Sequence, residues 1–559
     1  MSPSRPQKRP KTLRKWTVRL SALFTIIATL LLLLVEQPYS SIRDLKQHHL
    51  PSVPDYSLIR SPVSLFSAES ADICTPGYIF SIPDGRSPTI VDQNGELIWR
   101  ERRNSLTQNL RVQMFRGQDY LTYWIKEPYS HGSYHMLDSS YTTRYIVTPV
   151  GRMIDSLHDF TITRRDTALI AANYKRRADL SVIGGPRDGW ILDAVFQEID
   201  IVTGNLLYEW RAADHVFIAN TLQALEDGEG TEDHPFDYFH ITGVDQGPSG
   251  AYLVSAGNMR AVMSVDATSG QVQWNLGGHA NDFRAGGRPV VDFVWPHNAR
   301  WGENATVAVM DKADSGTNDR GMVIQINPHT AQAVVQQTFN SPKEPKGFSA
   351  GDIQVSEGTG NVLISWAGGR GFSEYTADGE LLCQKHISDK LSGFRLLRSA
   401  ASSRVSKHTW TGKPLTKPII KTSVRRLHVQ WNGATEVAEW QLQARKQLLP
   451  SKHNDLQDHE IGRFKKTGFE TSFTVPPLKG SSGYFLRIAA LDQQGQIIGY
   501  SDDVEWQEAW TGSDLSQSQF RFLAGVCLFG GLLTLLSTLH IHIRLRNRER
   551  RILLPLHKL

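Results

Sequence analysis

Three histidines stand in similar local settings: His158 in "LHDFTIT", His240 in "DYFHITGV" and His297 in "FVWPHNARW". Each precedes or opens an apolar stretch that predicts a β-strand. Imidazole changes charge near neutral pH, so it can serve as base, nucleophile or ligand. A lone histidine of this kind is ordinarily a satisfied turn or core residue. Three of them at the openings of separate strands form a set that can converge. Arg300 follows His297 by three residues. It offers a planar fork for two oxygens of an anion, or else it packs as a structural residue. No Cys/His spacing resembles a zinc site, and no metal is expected.

The elements that must position these residues read as hairpins. "VDQNGELIWR" begins at Val91, "VTPVGRMIDS" at Val147, "IDIVTGNLLYEWR" at Ile199, "VDATSGQVQWNLGG" at Val265, "INPHTAQAVVQQ" at Ile326 and "EYTADGELLCQK" at Glu374. Each joins two strands through a polar turn that usually carries glycine. Their starts are 48–66 residues apart. A four-stranded propeller blade with variable loops is a unit of roughly 40–50 residues before insertions. Six hairpins therefore predict an all-β, six-bladed propeller, which leaves few exposed sheet edges. A pair of β-sandwiches is the alternative, and the even spacing disfavours it. In a propeller the three histidines would come from different blades and line one channel.

Cys74 precedes the first repeat and Cys383 ends the last. A disulfide between them would fasten the ring shut where its ends meet. A second module begins near Pro418, with alternating strands, Trp431 early and Tyr484 late. That pattern predicts a fibronectin type III-like sandwich, read as a spacer or adhesion surface.

Charge separates the tails from the body. Of the formal net charge of +5, residues 1–19 contribute +7 and residues 540–559 contribute +5, leaving the remainder seven charges acidic. A basic stripe on a folded domain is absent from that pattern, which argues against nucleic acid. Both tails abut apolar runs, Leu20–Val35 and Phe522–Leu539, near the lower end of the roughly 17–25 residues of a spanning helix. The first reads as an uncleaved anchor, with a cleaved signal peptide as the alternative. Basic flanks stay cytoplasmic, so the expected protein is integral to a membrane, with both termini cytoplasmic and a lumenal or extracellular body. The tails would touch anionic membrane lipid. The sequon Asn304-Ala-Thr306 makes Asn304 a glycosylation candidate in that placement.

The segments "LHDFTIT", "TALIAANY", "GPRDGWILDAVFQEIDIVTGNLLYEWRAADHV", "FDYFHITGVD", "GAYLVSAGN", "SGQVQWNLGGHANDF", "FVWPHNARW" and "GFSEYTADGEL" together resemble the fungal branch of the arylsulfotransferase family. The resemblance covers roughly residues 72–412. It implies a six-bladed propeller that moves a sulfuryl group from an aryl sulfate donor to a phenolic acceptor, without a nucleotide or other cofactor. By motif, His297 is implied as the histidine that becomes sulfated, His240 as partner base or oxygen ligand, His158 as a third member, and Arg300 as a substrate-binding cation.

The chain also departs from the family pattern. Thr242 stands in place of asparagine, and Pro296 and Asn298 flank His297 in place of glutamine and of histidine or aspartate. Gly257 stands at the position of an arginine. Arg260 lies three residues further on, and alternation along a strand would turn it to the opposite face. The alternative function is therefore a catalytically impaired propeller that binds a ligand or partner at a membrane. The expected order along the chain is a basic cytoplasmic tail (1–19), a transmembrane helix or signal anchor (20–36), an arylsulfotransferase-like propeller (72–412), a fibronectin type III-like sandwich (415–508), a second transmembrane helix (520–541) and a basic cytoplasmic tail (542–559).

Overall fold

The computed structural model describes residues 74–126, 132–154, 159–312, 318–341, 351–366, 371–386, 404–423, 426–446, 459–476 and 484–506. His158 and both apolar runs expected to cross a membrane lie outside the described residues. Within the described residues no helix is long and apolar enough to cross a membrane.

Among the described residues, six four-stranded antiparallel sheets follow one another along the chain. The first joins Tyr78–Ser81, Thr89–Val91 and Leu97–Arg100 to Ser406–His408, a strand from the far end of the series. The second holds Thr107–Phe115, Gln118–Ile125, Ser133–Leu137 and Thr143–Val147. The third holds Phe160–Ile162, Thr167–Ala178, Gly189–Asp200 and Leu206–Arg211. The fourth holds Ile241–Gln246, Tyr252–Ala256, Ala261–Val265 and Val272–Gly277. The fifth holds Pro296–Trp301, Thr306–Asp311, Arg320–Asn327 and Gln332–Asn340. The sixth holds Asp352–Val355, Val362–Ser365, Gly371–Tyr375 and Leu381–His386.

The leading strands of the sheets touch in sequence, from Thr107–Phe115 through Phe160–Ile162, Ile241–Gln246 and Pro296–Trp301 to Asp352–Val355. Ser406–His408 closes the series against Thr107–Phe115. On its other side the Gln354 side chain exchanges hydrogen bonds with the Lys407 backbone at 2.7 and 3.0 Å. The fold is thus propeller-like, with six strands around a common axis. Burial follows that geometry. "YLVSA" and "AVMSV" of the fourth sheet are buried throughout, as short continuous apolar runs must be. The outer strand Gln332–Asn340 alternates exposed and half-buried, the pattern of a strand with one face in water.

The ring is latched where its ends meet. Cys74 and Cys383 are joined by a disulfide. Beside it, Lys407 Nζ lies 2.9 Å from the Glu374 carboxylate, with side chains 9% and 2% exposed. The Thr75 backbone N–H donates to the same carboxylate at 3.0 Å. Among the described residues, Cys74, Glu374 and Cys383 form the one grouping with metal-ligand side chains close together. Two of its three sulfur and oxygen donors are spent in the disulfide.

Five of the six expected hairpins are the outer turns of their sheets. The one placed at Val147 is not. Thr143–Val147 already ends the second sheet, and the hairpin is the turn between Leu137 and Thr143. Its chemistry is the same as in the others. Asp138 accepts from the backbone N–H groups of Ser140 and Thr142, as Asp92, Asp200 and Asp266 do in their turns. The glycine that those turns place at positive φ (Gly95, Gly204 and Gly270) is replaced here by Tyr141 at φ 63°. Without glycine the turn has no visible signal.

A three-stranded sheet (Ile419–Ser423, Arg426–Gln430, Glu470–Thr474) and a five-stranded one built on Glu439–Lys446 and Tyr484–Leu491 follow. They share a core that includes Leu427, Val429, Trp440, Leu442, Phe473 and Ile488. Tyr141 connects this sandwich to the second sheet. Its ring stacks on Trp99 at 4.8 Å, and its hydroxyl donates to the Gly433 carbonyl at 2.8 Å.

Candidate functional site

His240 is the residue immediately before Ile241–Gln246, and its backbone is left-handed, at φ 56°. Such a conformation is uncommon outside glycine, though histidine adopts it more readily than bulky residues. It is held by the turn opposite. The Gly257 N–H donates to the His240 carbonyl at 2.9 Å, and the Asn258 N–H to that of Phe239 at 3.2 Å. The ring Nδ1 lies 2.5 Å from Asp237 Oδ2, with the two side chains 21% and 29% exposed. A carboxylate on Nδ1 fixes the tautomer and leaves Nε2 as the basic atom. Sequence reasoning passed over Asp237, three residues earlier, although an Asp–x–x–His spacing across a turn was its signal.

Gly257 belongs to a tight turn, because the Arg260 N–H donates to the Gly257 carbonyl at 3.0 Å. The expected strand through Arg260 therefore ends at Ala256, and alternation does not govern where Arg260 points. The volume beside Gly257 is taken by Trp295. A Cβ at position 257 would overlap its indole. That indole meets the His240 ring edge-on, with centroids 5.5 Å apart. Lys312 Nζ lies over the indole, 5.3 Å from its centre. The Trp295 and Val294 N–H groups donate to Asp311 Oδ1 at 2.8 and 2.9 Å. Asp311 in turn receives Arg320. Burial raises the Asp311 carboxyl, against the pull of those donors.

His297 lies in Pro296–Trp301, opposite Met310, and is 2% exposed. Its neighbours are held by bonds of their own. Thr242 Oγ1 donates to the Pro296 carbonyl at 2.8 Å. Asn298, left-handed at φ 54°, donates to Asp352 and accepts from Arg300 at 2.6 Å. The backbones approach so closely there that a Cβ on Gly243 would lie 2.8 Å from Asn298 Cα.

Arg300 is engaged across the axis. It holds both oxygens of buried Asp159, at 2.6 and 2.7 Å, and donates to the Val244 carbonyl at 2.9 Å. Burial works against its charge, but the carboxylates of Asp159 and Asp245 outweigh it and raise the guanidinium above its ordinary value. Burial likewise raises Asp159, and Arg300 and Arg111 pull it below the usual carboxylate value. Arg111 lies 3.7 Å from Asp352 and 4.0 Å from Asp159. The sequence carries a trace of this pairing: "QNLR" at Gln108 matches "HNAR" at His297. Both segments break register at a left-handed asparagine, Asn109 or Asn298. Val244 is four residues beyond His240, about 13 Å along an extended strand. The arginines therefore form a separate tier of the axis from His240, Asp237, Trp295 and Lys312.

Residues 111–388 match the family model described as Arylsulfotransferase (ASST). No curated protein matches the chain. Among solved structures, a Bacteroides caccae protein of unknown function is similar at 13% identity and a TM-score of 0.37, over 60% of this chain and 99% of its own. An inactive variant of virginiamycin B lyase from Staphylococcus aureus, solved with quinupristin, matches at 10% identity and 0.29, over 64% and 93%. The β-propeller domain of Cps50 (Swd1) from Myceliophteria thermophila matches at 12% and 0.28, over 58% and 94%.

Proposed function

We propose that this chain is an arylsulfotransferase-like protein, a six-bladed propeller with a fibronectin type III-like spacer, that passes a sulfuryl group between phenols at His240. The observation that carries the reading is the Asp237–His240 pair, 2.5 Å apart and open enough to meet a substrate. His297, at 2% exposed, is the poorer nucleophile. In the first step His240 Nε2 attacks sulfur, the N–S bond forms, and the S–O bond of the aryl sulfate breaks. The leaving phenolate takes up a proton. An acceptor phenol then loses its proton as its oxygen takes the sulfuryl group, which returns His240 to its starting state. Asp237 orients the imidazole and stabilises its positive charge. Lys312, held over the Trp295 indole, is assigned to supply cationic charge to the transferring oxygens. A membrane-held body outside the cytosol, with Asn304 glycosylated, is part of the same proposal, and exposed Asn304 suits it.

The Trp295 indole at Gly257 favours a second reading, a propeller that binds without turning over. A transfer assay separates the two. Nitrophenolate release from nitrophenyl sulfate that depends on an added phenol supports transfer. No release with any acceptor supports binding alone.

A further inference from the structure

The lower tier holds more donors than its carboxylates use. Arg111 is 17% exposed along its side chain, and its guanidinium makes no hydrogen bond among the described residues. Its two carboxylate contacts, at 3.7 and 4.0 Å, are longer than hydrogen bonds. The nearby acids are largely committed elsewhere, though Asp352 Oδ2 is turned to Arg111 at 3.7 Å. Asp159 is held by Arg300 and by the Val244 N–H. Asp352 Oδ1 receives Asn298 and the Ile353 N–H. Asp245 receives the N–H groups of Gln246 and Trp301. Arg404, buried just before the closing strand, is near enough to act on both Arg111 and Asp159. The charges of three guanidinium groups therefore act together in this tier. A network built for stability alone would seat the Arg111 fork on an acceptor, because a guanidinium carries five donors and cannot lose its charge.

We propose that Arg111, with the charges of Arg300 and Arg404 behind it, forms an oxyanion site on the axis, about four residues below His240, that takes a carboxylate or sulfate group. A planar pair of oxygens fits the Arg111 fork. The source of the oxyanion is either a free anion or the acidic group of an aromatic ligand lying along the channel. The site does not depend on sulfuryl transfer at His240.

Isothermal titration of the full-length protein with inorganic sulfate and, separately, with benzoate tests this. The expected result is saturable binding of at least one of them, weakened about tenfold or more in Arg111→Gln through loss of a charge-assisted contact. The binding is read without any aryl sulfate donor, which keeps this outcome distinct from failure of the transfer reading. Sulfate binding points to a free anion, and binding of benzoate alone points to an aromatic acid. If Arg111→Gln does not fold, Arg404→Gln carries the same comparison. Absence of saturable binding of either anion to the wild type overturns the proposal. So does equal affinity in a folded arginine variant.

Discussion

The indole of Trp295 occupies the space that a side chain at position 257 would need. Glycine at 257 and tryptophan at 295 are thus one packing solution, and an aromatic wall stands beside His240. Asp311 pins the wall through two backbone hydrogen bonds.

The pairing makes Gly257→Arg alone harmful. Overpacking against the pinned indole should cost about 1–3 kcal/mol, read as a lowered melting temperature. Combining it with Trp295→Gly should recover most of the loss. If turnover depends on cationic stabilisation at this tier, the double variant should also turn over faster, within the about 10²–10³ range of such an electrostatic group. A single variant as stable as wild type would show that the indole moves aside freely.

Asp237→Asn should lower transfer more than binding. It keeps the shape of the pair but removes the charge that favours the imidazolium. A loss of about 10²–10⁴ in kcat is expected from the weight of positioned acid–base groups. An unchanged kcat would remove Asp237 from the mechanism.

The latch between first and last sheets joins two devices. Replacing Cys74 and Cys383 with serine should cost about 2–5 kcal/mol of unfolding free energy. Lys407→Met leaves the Glu374 carboxylate buried without its cation, and about 3–5 kcal/mol is expected there. Because both act at one seam, the combined variant should lose less than the sum, as neighbouring sites do. Denaturant titration reads all three.

Acid should weaken the fold through His408. Its Nε2 is enclosed without a hydrogen-bond partner. Burial, then the charge of Arg111, brings its pKa down to about 3 from 6.5. As pH falls, the unfolded chain therefore takes up this proton first. Stability from the neutral ring is full above 6.5 and drains away as pH falls to about 3. Asp159 acts only lower, since its carboxyl sits below 3.8. Melting temperature should decline across that window in wild type, and less steeply in His408→Phe. Identical slopes would contradict the assignment.

Much of this architecture is legible in the residues. Polar-led turns with glycine at the left-handed position mark four of the outer hairpins, at Gly95, Gly204, Gly270 and Gly379, led by aspartate in the first three and by Thr376 in the last. At Asn327 the turn is still polar, but Ala331 takes the left-handed position. The second sheet's hairpin was hidden because Tyr141 holds that position, kept there by Trp99 and Gly433 of the seam with the sandwich. Long-range contact overrides local preference at such a residue. His240 was readable as a candidate from its place before a strand, although His297 was the expected nucleophile. Its surroundings were not. Trp295 and Lys312 reach it from the fifth sheet, and the Arg111–Asp352 contact spans 241 residues. No local pattern encodes such meetings.

The most direct measurement is mass mapping of the full-length protein after brief exposure to an aryl sulfate without acceptor. The account predicts one added sulfuryl group, carried by the peptide that contains His240, lost on adding a phenol and absent in His240→Gln. An adduct that persists in that variant, or no adduct and no turnover with any donor, would contradict it.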